Sequence, residues 1–271
     1  MNGVTDQSKH ATAQVALSIV TVHKQDFGGL RRTIESLMPL LRAQSTEWIL
    51  VDGGSTAHTD EHAQTLARAE SLADHFLAGP DDGIYDAMNK GTDRASGKWV
   101  LYLNSGDELA PAFDFGGLLS EVDGAEVAPA MIWAQCEERY EDGNSVLIRA
   151  RPPRWAWYGM PAYHPAIVFR RSELGSRPYD TSFTIAADYD LVCRLLVNGA
   201  GVRRVNTPVS IFHRGGLSDR NHERVLVEEQ QVRTKHFPRA RLAGLLLVPL
   251  KQALKRLSGN ARLRRAWRRW T

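Results

Sequence analysis

The sequence predicts an α/β protein with a mostly parallel central sheet flanked by helices. Short apolar runs alternate along the first half with segments whose apolar residues recur at helical spacing. Loops rich in Asp, Gly and Ser follow these runs, as turns follow strands. The 271 residues are 43% hydrophobic and 24% charged, an ordinary globular composition that excludes disordered and fibrous classes. The length suits one large domain, alone or with an extension.

The first half alternates predicted strands and helices. Residues 15–22 (VALSIVTV) form a continuous run rich in β-branched residues, which is typical of a buried parallel strand. The elements that follow are a helix carrying Leu30, Ile34, Leu37, Leu40 and Leu41, a strand at 48–51, a helix at 59–69, a strand at 73–77, a helix at 84–95 and a strand at 99–103. This β-α-β-α-β-α-β order predicts a parallel sheet covered by helices.

The second half is less regular. Its predicted elements are strands able to pair at 131–136 and 145–150, a loop at 151–154, a strand at 167–170, a helix at 188–198, strands at 202–205 and 209–212, and a largely polar helix at 217–236. We predict that residues 14–237 form the folded domain and that residues 238–271 form a basic amphipathic C-terminal extension.

The net charge of +3 conceals an uneven distribution. Residues 230–271 hold 12 of the 34 Lys and Arg residues and no Asp or Glu, so the rest of the chain is acidic, with a net charge of −9. The extension also has an apolar stripe at helical spacing and two tryptophans among arginines, namely Leu250, Leu254, Leu257, Ala261, Trp267 and Trp270. This pattern favours an anionic membrane surface over a docking segment for another protein. Nucleic acid is disfavoured, since no nucleic-acid module is recognisable.

Other features bear on the compartment. Residues 1–14 lack the apolar core of a secretory signal, and no apolar stretch approaches the ~20 residues of a membrane span. Cys136 and Cys193 belong to no CxxC or Cys/His cluster, which argues against a disulfide framework or a structural zinc site. We therefore expect a cytoplasmic protein that associates peripherally with the inner face of the cell membrane.

Four polar loops should lie at one edge of the predicted sheet, where open α/β folds bind their ligands. They are Thr21-Val22-His23, Asp52-Gly53-Gly54-Ser55, Pro80-Asp81-Asp82-Gly83 and Asn104-Ser105-Gly106-Asp107. Three of them carry carboxylates, whose mutual repulsion a divalent metal bearing a diphosphate would relieve. The sequence has no GxxxxGK[ST], which excludes a P-loop NTPase, and no GxGxxG after the first strand, which disfavours dinucleotide binding.

The same segments resemble family 2 glycosyltransferases with the GT-A fold, especially the branch active in bacterial exopolysaccharide and O-antigen synthesis. The resemblance lies in LSIVTVHKQDFGGLRRTIESL, WILVDGGSTAHT and GPDDGIYDAMNKGTDRASGKWVLYLNSGDEL, and later in YHPAIVFRRSEL, IAADYDLVCRL and FHRGGLS. It covers roughly residues 15–218. The motifs GIYDAMNKG and LNSGDE are quite specific in combination.

The resemblance implies a role for each matching residue. Thr21 and Asp52 would lie against the nucleotide base and ribose, and Asp81 would close the nucleotide pocket. Asp107 would coordinate a divalent metal, Mn²⁺ or Mg²⁺, at the diphosphate. Asp188 would be the catalytic base of an inverting displacement.

Two positions depart from the family pattern. The usual metal motif is Asp-x-Asp, but Asn104 replaces the first Asp, so Asp107 alone supplies a carboxylate. Asn104 stays a candidate for binding the nucleotide-sugar donor. Mg²⁺ tolerates this, since it usually keeps several waters. The usual base motif is Glu-Asp, but Ala187 precedes Asp188, and Asp190 lies two residues on.

The remaining candidates are weaker. His213 and Arg214 lie beside two glycines, and cations with nearby backbone N–H groups suit a diphosphate. His164 and Asp190 are candidates for acceptor contact, although a lone His is more often structural. Asp188 has the alternative role of a helix N-cap, and each Asp loop the alternative of a simple turn. We expect the side chains of Tyr85, Met88 and Asn89 to pack the sheet instead of contacting a ligand.

The sequence thus predicts an inverting, metal-dependent glycosyltransferase. It would move a sugar from a nucleotide-sugar donor to a saccharide acceptor, lipid-linked at the membrane, in cell-surface polysaccharide synthesis. One alternative is a sugar nucleotidyltransferase, although residues 22–26 lack the glycine- and basic-rich loop of that class. The other is a catalytically decayed, membrane-bound scaffold, which the loss of Asp at position 104 suggests.

Overall fold

The computed structural model describes residues 15–41, 45–111, 113–122, 128–215 and 221–240. The predicted membrane-binding stripe and tryptophans of the extension lie outside these residues, so that prediction stays open. In the described part of the chain, no helix is long and apolar enough to cross a bilayer.

Nine strands and seven helices make up the described fold, with short 3₁₀ turns at Pro153–Tyr158, His164–Ala166 and Pro238–Ala240. The strands are β1 (Leu17–His23), β2 (Thr46–Asp52), β3 (His75–Ala78), β4 (Trp99–Tyr102), β5 (Glu108–Leu109), β6 (Met131–Arg139), β7 (Ser145–Ile148), β8 (Ile167–Arg170) and β9 (Val202–His213). The helices are α1 (Phe27–Leu41), α2 (Asp60–Leu72), α3 (Ile84–Arg94), α4 (Phe115–Ser120), α5 (Arg171–Leu174), α6 (Ala187–Val197) and α7 (His222–His236).

One sheet contains all nine strands. Its order is β3-β2-β1-β4-β8-β6-β9-β5, and β7 pairs with β6. Strands β1 to β4 are mutually parallel, and β6 and β9 form a further parallel pair. Antiparallel β8 joins these two parts by pairing with β4 and β6. The predicted α/β class and helix-covered sheet are therefore confirmed, as is the pairing of the two strands after residue 130.

The prediction of two separate strands at 202–205 and 209–212 was wrong. They form one strand, β9, which runs without a break through Asn206, Thr207 and Pro208. Proline has no N–H to donate to a ladder and indicated an interruption. The pairing with β6 accommodates it by shifts of register around Gln135, which pairs with Pro208. An irregularity of this kind bends a strand without ending it.

Two apolar layers bury both faces of the parallel part of the sheet. Ile19 and Trp48 face the layer of α1 and α2, whereas the neighbouring Val20 and Ile49 face the layer of α3 and α6. Because successive strand residues point to opposite faces, a strand buried on both sides must be apolar throughout. This accounts for the unbroken apolar run of β1.

Helix α3 lies unusually close to the sheet because of Gly91. A Cβ atom at this position would lie 2.4 Å from Cγ1 of Val20, well inside van der Waals contact. The last glycine of GIYDAMNKG therefore permits the close approach of α3 to β1. This packing fixes the height of the whole helix above the site described below.

Candidate active site

The Asp52 loop closes the carboxyl end of β2. Asp52 pairs in register with His23, the last residue of β1, and the Gly53 N–H donates to the His23 carbonyl oxygen at 2.9 Å. Both carboxylate oxygens of Asp52 accept from the Ser55 N–H, at 3.2 and 3.1 Å. The segment is a true turn, and it holds a buried carboxylate at the predicted ligand edge of the sheet.

Asp81 meets this turn. One of its oxygens accepts from the Gly83 N–H at 3.0 Å and lies 3.5 Å from Nζ of Lys24. The other lies where a side chain at position 53 would be, since a Cβ there would be 2.0 Å from Oδ2 of Asp81. Gly53 is therefore required for the close approach of the two loops. The structure brings Asp52 and Asp81 together as predicted, although their contact with a nucleotide stays a prediction.

His23 is a site residue that sequence reasoning overlooked. Its Nδ1 lies 3.2 Å from Oγ of Ser105, so it connects the first and fourth loops. Its Nε2 is buried without a hydrogen-bond partner among the described residues. Burial lowers the pKa of His23 despite the negative charges of Asp52 and Asp26, so the ring is neutral at pH 7. The available signal was a polar residue at the end of an apolar strand.

Thr21 does not present its side chain to this edge. It is fully buried, and its Oγ1 accepts a hydrogen bond of 2.9 Å from the indole N–H of Trp48. The hydroxyl therefore lies within the packed layer beneath α1. The structure therefore gives the Thr21 side chain a packing contact, and its predicted contact with a nucleotide stays a prediction.

The Asn104–Asp107 loop is tied to α1. The Ser105 N–H donates to the Val22 carbonyl at 3.0 Å, and the Asp107 N–H to the Asn104 carbonyl at 2.9 Å. Thr33, in α1, donates its hydroxyl to the Asp107 carbonyl oxygen at 2.7 Å. Burial raises the pKa of the Asp107 carboxyl to about 8, despite a hydrogen bond from the Asn104 backbone, and the charge of Glu108 adds to the increase.

Asp107 and Asn104 fit one side of a divalent cation site. Oδ1 of Asn104 is buried and has no hydrogen-bond partner among the described residues. A bound cation would favour the ionised form of Asp107 and would give the Asn104 oxygen a ligand. However, within the described ranges, no three His, Cys, Asp or Glu side chains cluster closely enough to hold a metal ion. The residues therefore fit a metal only if a diphosphate and water complete its coordination.

The segment His213-Arg214 lies beside the Asp107 loop. Glu108 pairs in register with Ile211 of β9, and its Oε1 lies 2.5 Å from Nε2 of His213. Arg214 donates to the fully buried carboxylate of Glu138 at 3.1 Å. Both predicted diphosphate ligands are therefore near the proposed metal residue. Each is paired with a carboxylate, so a diphosphate would have to compete with Glu108 and Glu138.

Asp188 is the second residue of α6. Its Oδ1 accepts a 2.7 Å hydrogen bond from the Tyr189 N–H and lies 3.3 Å from the Tyr85 hydroxyl, which donates to it. Burial raises the pKa of Asp188 to about 6, and these hydrogen bonds limit the increase. A base with a pKa near neutrality suits proton transfer at physiological pH. The alternative of an N-cap role is wrong, because Ala186 occupies the N-cap position.

Tyr85 and Asn89 connect α3 to the second half of the chain, and Tyr85 reaches Asp188. We expected both to pack the sheet, and both are buried. However, the Tyr85 hydroxyl also donates to the Ile185 carbonyl at 2.5 Å. The Asn89 amide pairs twice with the backbone of Tyr179, at 2.9 Å for each hydrogen bond. The motif GIYDAMNKG was the available signal for these contacts. Its helix, α3, begins just after the Asp81 loop and contacts the second half of the chain at Tyr179 and Ile185.

Asp190 has a structural position. It is 1% exposed, and its Oδ1 lies 2.8 Å from Nε2 of His236 and 2.9 Å from Nζ of Lys235. Two residues along a helix differ by about 200°, so Asp188 and Asp190 point in different directions. The Asp190 carboxylate lies between α6 and α7, and its predicted acceptor contact stays a prediction.

His164 is also structural. Its Nε2 lies 2.8 Å from the Tyr179 hydroxyl oxygen, and its ring stacks on Tyr102 with centroids 5.3 Å apart. Burial lowers the pKa of His164 to about 4, so the ring is uncharged at neutral pH. The structure offers no support for an acceptor or phosphate contact of His164, which stays a prediction.

A mixed sheet with carboxylate loops at the ends of its parallel strands and helices on both faces is the architecture of the GT-A fold, which glycosyltransferases share. The sequence model of Glycosyl transferase family 2 matches residues 18–174, which is more than half of the chain. The chain therefore belongs to glycosyltransferase family 2. The matched segment includes the Asp52, Asp81 and Asp107 loops and ends before Asp188.

Individual proteins show the same relationship. A PGL/p-HBAD biosynthesis glycosyltransferase of Mycobacterium bovis is 29% identical over 215 residues, which cover 74% of this chain and 76% of the relative. An uncharacterized glycosyltransferase of Mycobacterium tuberculosis is 33% identical over 99 residues, or 36% of this chain and 37% of the relative.

Solved structures extend the likeness to the fold. Crystal structures of S. aureus TarS, residues 1–349, in complex with UDP and with UDP-GlcNAc superpose with TM-scores of 0.57 and 0.59. Both are 13% identical to this chain, and the superpositions cover 83% of it and 71% and 72% of the TarS chains. At this identity the likeness concerns the fold.

Proposed function

We propose that this glycosyltransferase moves a sugar from a nucleotide-sugar donor to a hydroxyl group of a saccharide acceptor, with inversion at the anomeric carbon. One observation carries the proposal: Asp188, a largely buried carboxyl with a pKa of about 6, lies at a helix start and contacts α3, the helix that begins directly after the Asp81 loop. A candidate base and a candidate donor site are thus joined by one rigid element.

The donor would lie across the carboxyl ends of β1, β2 and β4. Asp52, which is buried, and Asp81, whose side chain is 5% exposed, offer carboxylate oxygens to the N–H and hydroxyl groups of a nucleoside. His23 offers a ring nitrogen that has no hydrogen-bond partner among the described residues. UDP and UDP-GlcNAc are the ligands of the TarS structures of similar fold. Uridine nucleotides are therefore the first donors to test.

A divalent cation would be held by Asp107, with Asn104 beside it and the donor diphosphate completing the site. Such an ion would neutralise the negative charge that grows on the leaving diphosphate. Arg214 would add positive charge at the same place when it releases Glu138, and His213 would offer its ring nitrogen when it releases Glu108. The cation remains part of the proposal, as does the choice between Mn²⁺ and Mg²⁺.

Asp188 would act on the acceptor. Cleavage of a sugar–phosphate bond passes through an oxocarbenium-like state, and the attacking hydroxyl must lose its proton as it adds. An ionised Asp188 can accept that proton, and its pKa of about 6 leaves it mostly ionised at pH 7. A single base without a covalent nucleophile gives inversion.

The acceptor would be lipid-linked and used in cell-surface polysaccharide synthesis at the cytoplasmic face of the membrane. The support is the charge distribution of the sequence, in which residues 238–271 hold 10 basic and no acidic residues. Each Lys or Arg near an anionic leaflet contributes about 1 kcal/mol of attraction. The extension would therefore hold the domain near a membrane-borne acceptor.

Two measurements test the donor proposal. In a thermal-shift panel of UDP, GDP and dTDP sugars with and without Mn²⁺, one nucleotide should stabilise the protein by about 2.7 kcal/mol at a hundredfold excess over Kd. Release of the nucleotide from the selected donor should then be measured with wild-type protein and with Asp188→Asn. Stabilisation without any nucleotide release would favour the decayed scaffold, and pyrophosphate consumption would favour the nucleotidyltransferase.

A further inference from the structure

Helix α6 carries Asp188 but begins without a cap of its own. Its N-cap residue is Ala186, which has no side-chain acceptor for the free N–H groups of the first turn. Helix α7 instead supplies a carboxylate that holds the N-cap residue and the two residues before it. Glu228 accepts hydrogen bonds from three consecutive backbone N–H groups: Thr184 at 3.0 and 3.1 Å, Ile185 at 2.8 Å and Ala186 at 3.0 Å.

The surroundings of the Glu228 carboxylate hold it in place and keep it ionised. It is 4% exposed, and Arg224, one turn earlier in α7, donates to it from Nε at 2.8 Å. Arg224 also donates from Nη2 to the Thr184 hydroxyl at 2.6 Å. Burial alone would raise the pKa of Glu228, but Arg224 and the three N–H groups hold it below its usual value. The carboxylate is therefore ionised at pH 7.

The same short segment is held from its other side. Tyr85 of α3 donates to the Ile185 carbonyl, so the Ile185 residue is fixed through its N–H by Glu228 and through its carbonyl by Tyr85. Asp188 follows three residues later. Helix α7 is also attached further along α6, through Asp190 to His236.

We propose that Glu228 is a positioning residue for Asp188, holding the 184–186 segment so that the Asp188 carboxylate faces the reacting groups. It acts from α7, beyond the residues 18–174 that the family model matches. The inference rests on the proposed function of Asp188 as the base. A carboxylate that binds three N–H groups at a helix start opposes the positive end of the helix dipole, which fixes the first turn on which Asp188 lies.

Hydrogen exchange tests the local part without any ligand. Glu228→Ala should accelerate amide exchange of Thr184, Ile185 and Ala186 at least ~10-fold, since their hydrogen bonds would be lost. Glu228→Gln keeps one acceptor oxygen and should give an intermediate rate. Glu223→Ala is the matched control, because Glu223 is an exposed residue of the same helix. Arg224→Ala keeps the carboxylate, and it replaces Glu228→Ala if that variant does not fold.

Two further measurements separate positioning from simple stabilisation. Glu228→Ala should lower kcat at least ~10-fold with the sugar nucleotide selected by the thermal-shift panel, while KM for that donor changes less than twofold, because the Asp52 and Asp81 loops are untouched. In a carbon-detected NMR titration of the free protein, the pKa of Asp188 should fall toward its ordinary value as the side chain becomes more exposed.

Faster exchange with unchanged kcat and an unchanged Asp188 titration would overturn the inference and leave Glu228 as a structural cap. Exchange equal to that of Glu223→Ala would overturn it outright. If wild-type protein turns over no sugar nucleotide, the proposed function fails, and the exchange and titration results still decide whether Glu228 positions Asp188.

Discussion

Replacing Tyr85 with Phe removes one hydroxyl group that has two acceptors. In the structure it donates to the Ile185 carbonyl at 2.5 Å and lies 3.3 Å from Oδ1 of Asp188. The ring itself stays in place, since Phe fills the same buried space against Tyr179. The substitution therefore tests the hydroxyl and leaves the packing intact.

The expected size of each effect follows from these contacts. A buried carbonyl left without its donor costs about 1–3 kcal/mol, so the free energy of unfolding should fall by about that amount. The Tyr85 hydroxyl has one proton, which it shares between the Ile185 carbonyl and Asp188, and its distance to Asp188 is long. We therefore assign the contact with Asp188 ~1 kcal/mol at most, which is less than one pKa unit. Loss of a donor to the ionised form raises the pKa of Asp188. The acid limb of the pH–rate profile, which the Asp188 pKa of about 6 places near pH 6 in wild type, should therefore shift upward by up to about 0.7 unit.

The assay is donor turnover between pH 5 and 9, with thermal unfolding in parallel. At pH 6, Tyr85→Phe should lose up to about threefold in rate, and at pH 8 the loss should nearly disappear because Asp188 is ionised in both proteins. Tyr102→Phe is the matched control. Its hydroxyl contacts Thr92 in the same buried aromatic cluster, so it should destabilise without moving the pH profile.

A uniform loss of rate at every pH would refute this reasoning, since it would mean that Tyr85 acts on geometry alone. A pH limb unchanged in Tyr85→Phe would equally show that the hydroxyl does not influence the titration of Asp188.

Four other changes have defined outcomes. Asp188→Asn should lower turnover at least ~10²-fold, the usual scale for loss of a general base, while calorimetry finds nucleotide binding near normal. Asp107→Ala should abolish the Mn²⁺ dependence of donor binding in the same instrument, and an unchanged dependence would place the ion elsewhere or remove it. Gly53→Ala should weaken nucleotide binding more than it lowers stability, because the new Cβ would lie 2.0 Å from Oδ2 of Asp81 and displace that carboxylate. Deleting residues 240–271 should release the protein from anionic liposomes with its melting temperature preserved. Full-length protein should be released only partly by 1 M salt, where the Debye length is ~3 Å. Failure of the full-length protein to sediment with liposomes at low salt would contradict the membrane proposal.

The first half of the fold could be predicted because its strands are buried on both faces. An unbroken apolar run such as that of β1 is compatible with few other structures once helical patterns flank it. The carboxylate loops could be predicted for the same reason, since parallel strands end at a common edge. Asp52 and Asp81 accordingly meet across Gly53.

The direction of individual side chains could not be predicted, because distant partners decide it. Thr21 is turned inward by the Trp48 indole, and Asp190 is turned toward His236, 46 residues away. His164 looked like a ligand in the sequence, but Tyr179 and Tyr102 bury it. No local sequence pattern predicts these contacts.

The cap of α6 is a sharper case of the same limitation. Sequence rules search for a capping side chain at the helix start, and Ala186 offers none. The acceptor, Glu228, lies 42 residues further on, in a helix whose sequence is largely polar. A long-range cap of this kind is visible only when the two helices are seen together.

The contacts of α3 also set rules for building chimeric enzymes. A natural place to exchange acceptor halves between family members is just after residue 174, where the family model stops matching. A graft at that point would separate Asn89 from Tyr179 and Tyr85 from Asp188, pairs that hold the incoming half in place. Recombinants should therefore retain activity only when both parents supply compatible residues at these four positions. In evolutionary terms, a change at one of these positions is expected to be accompanied by a compatible change at its partner.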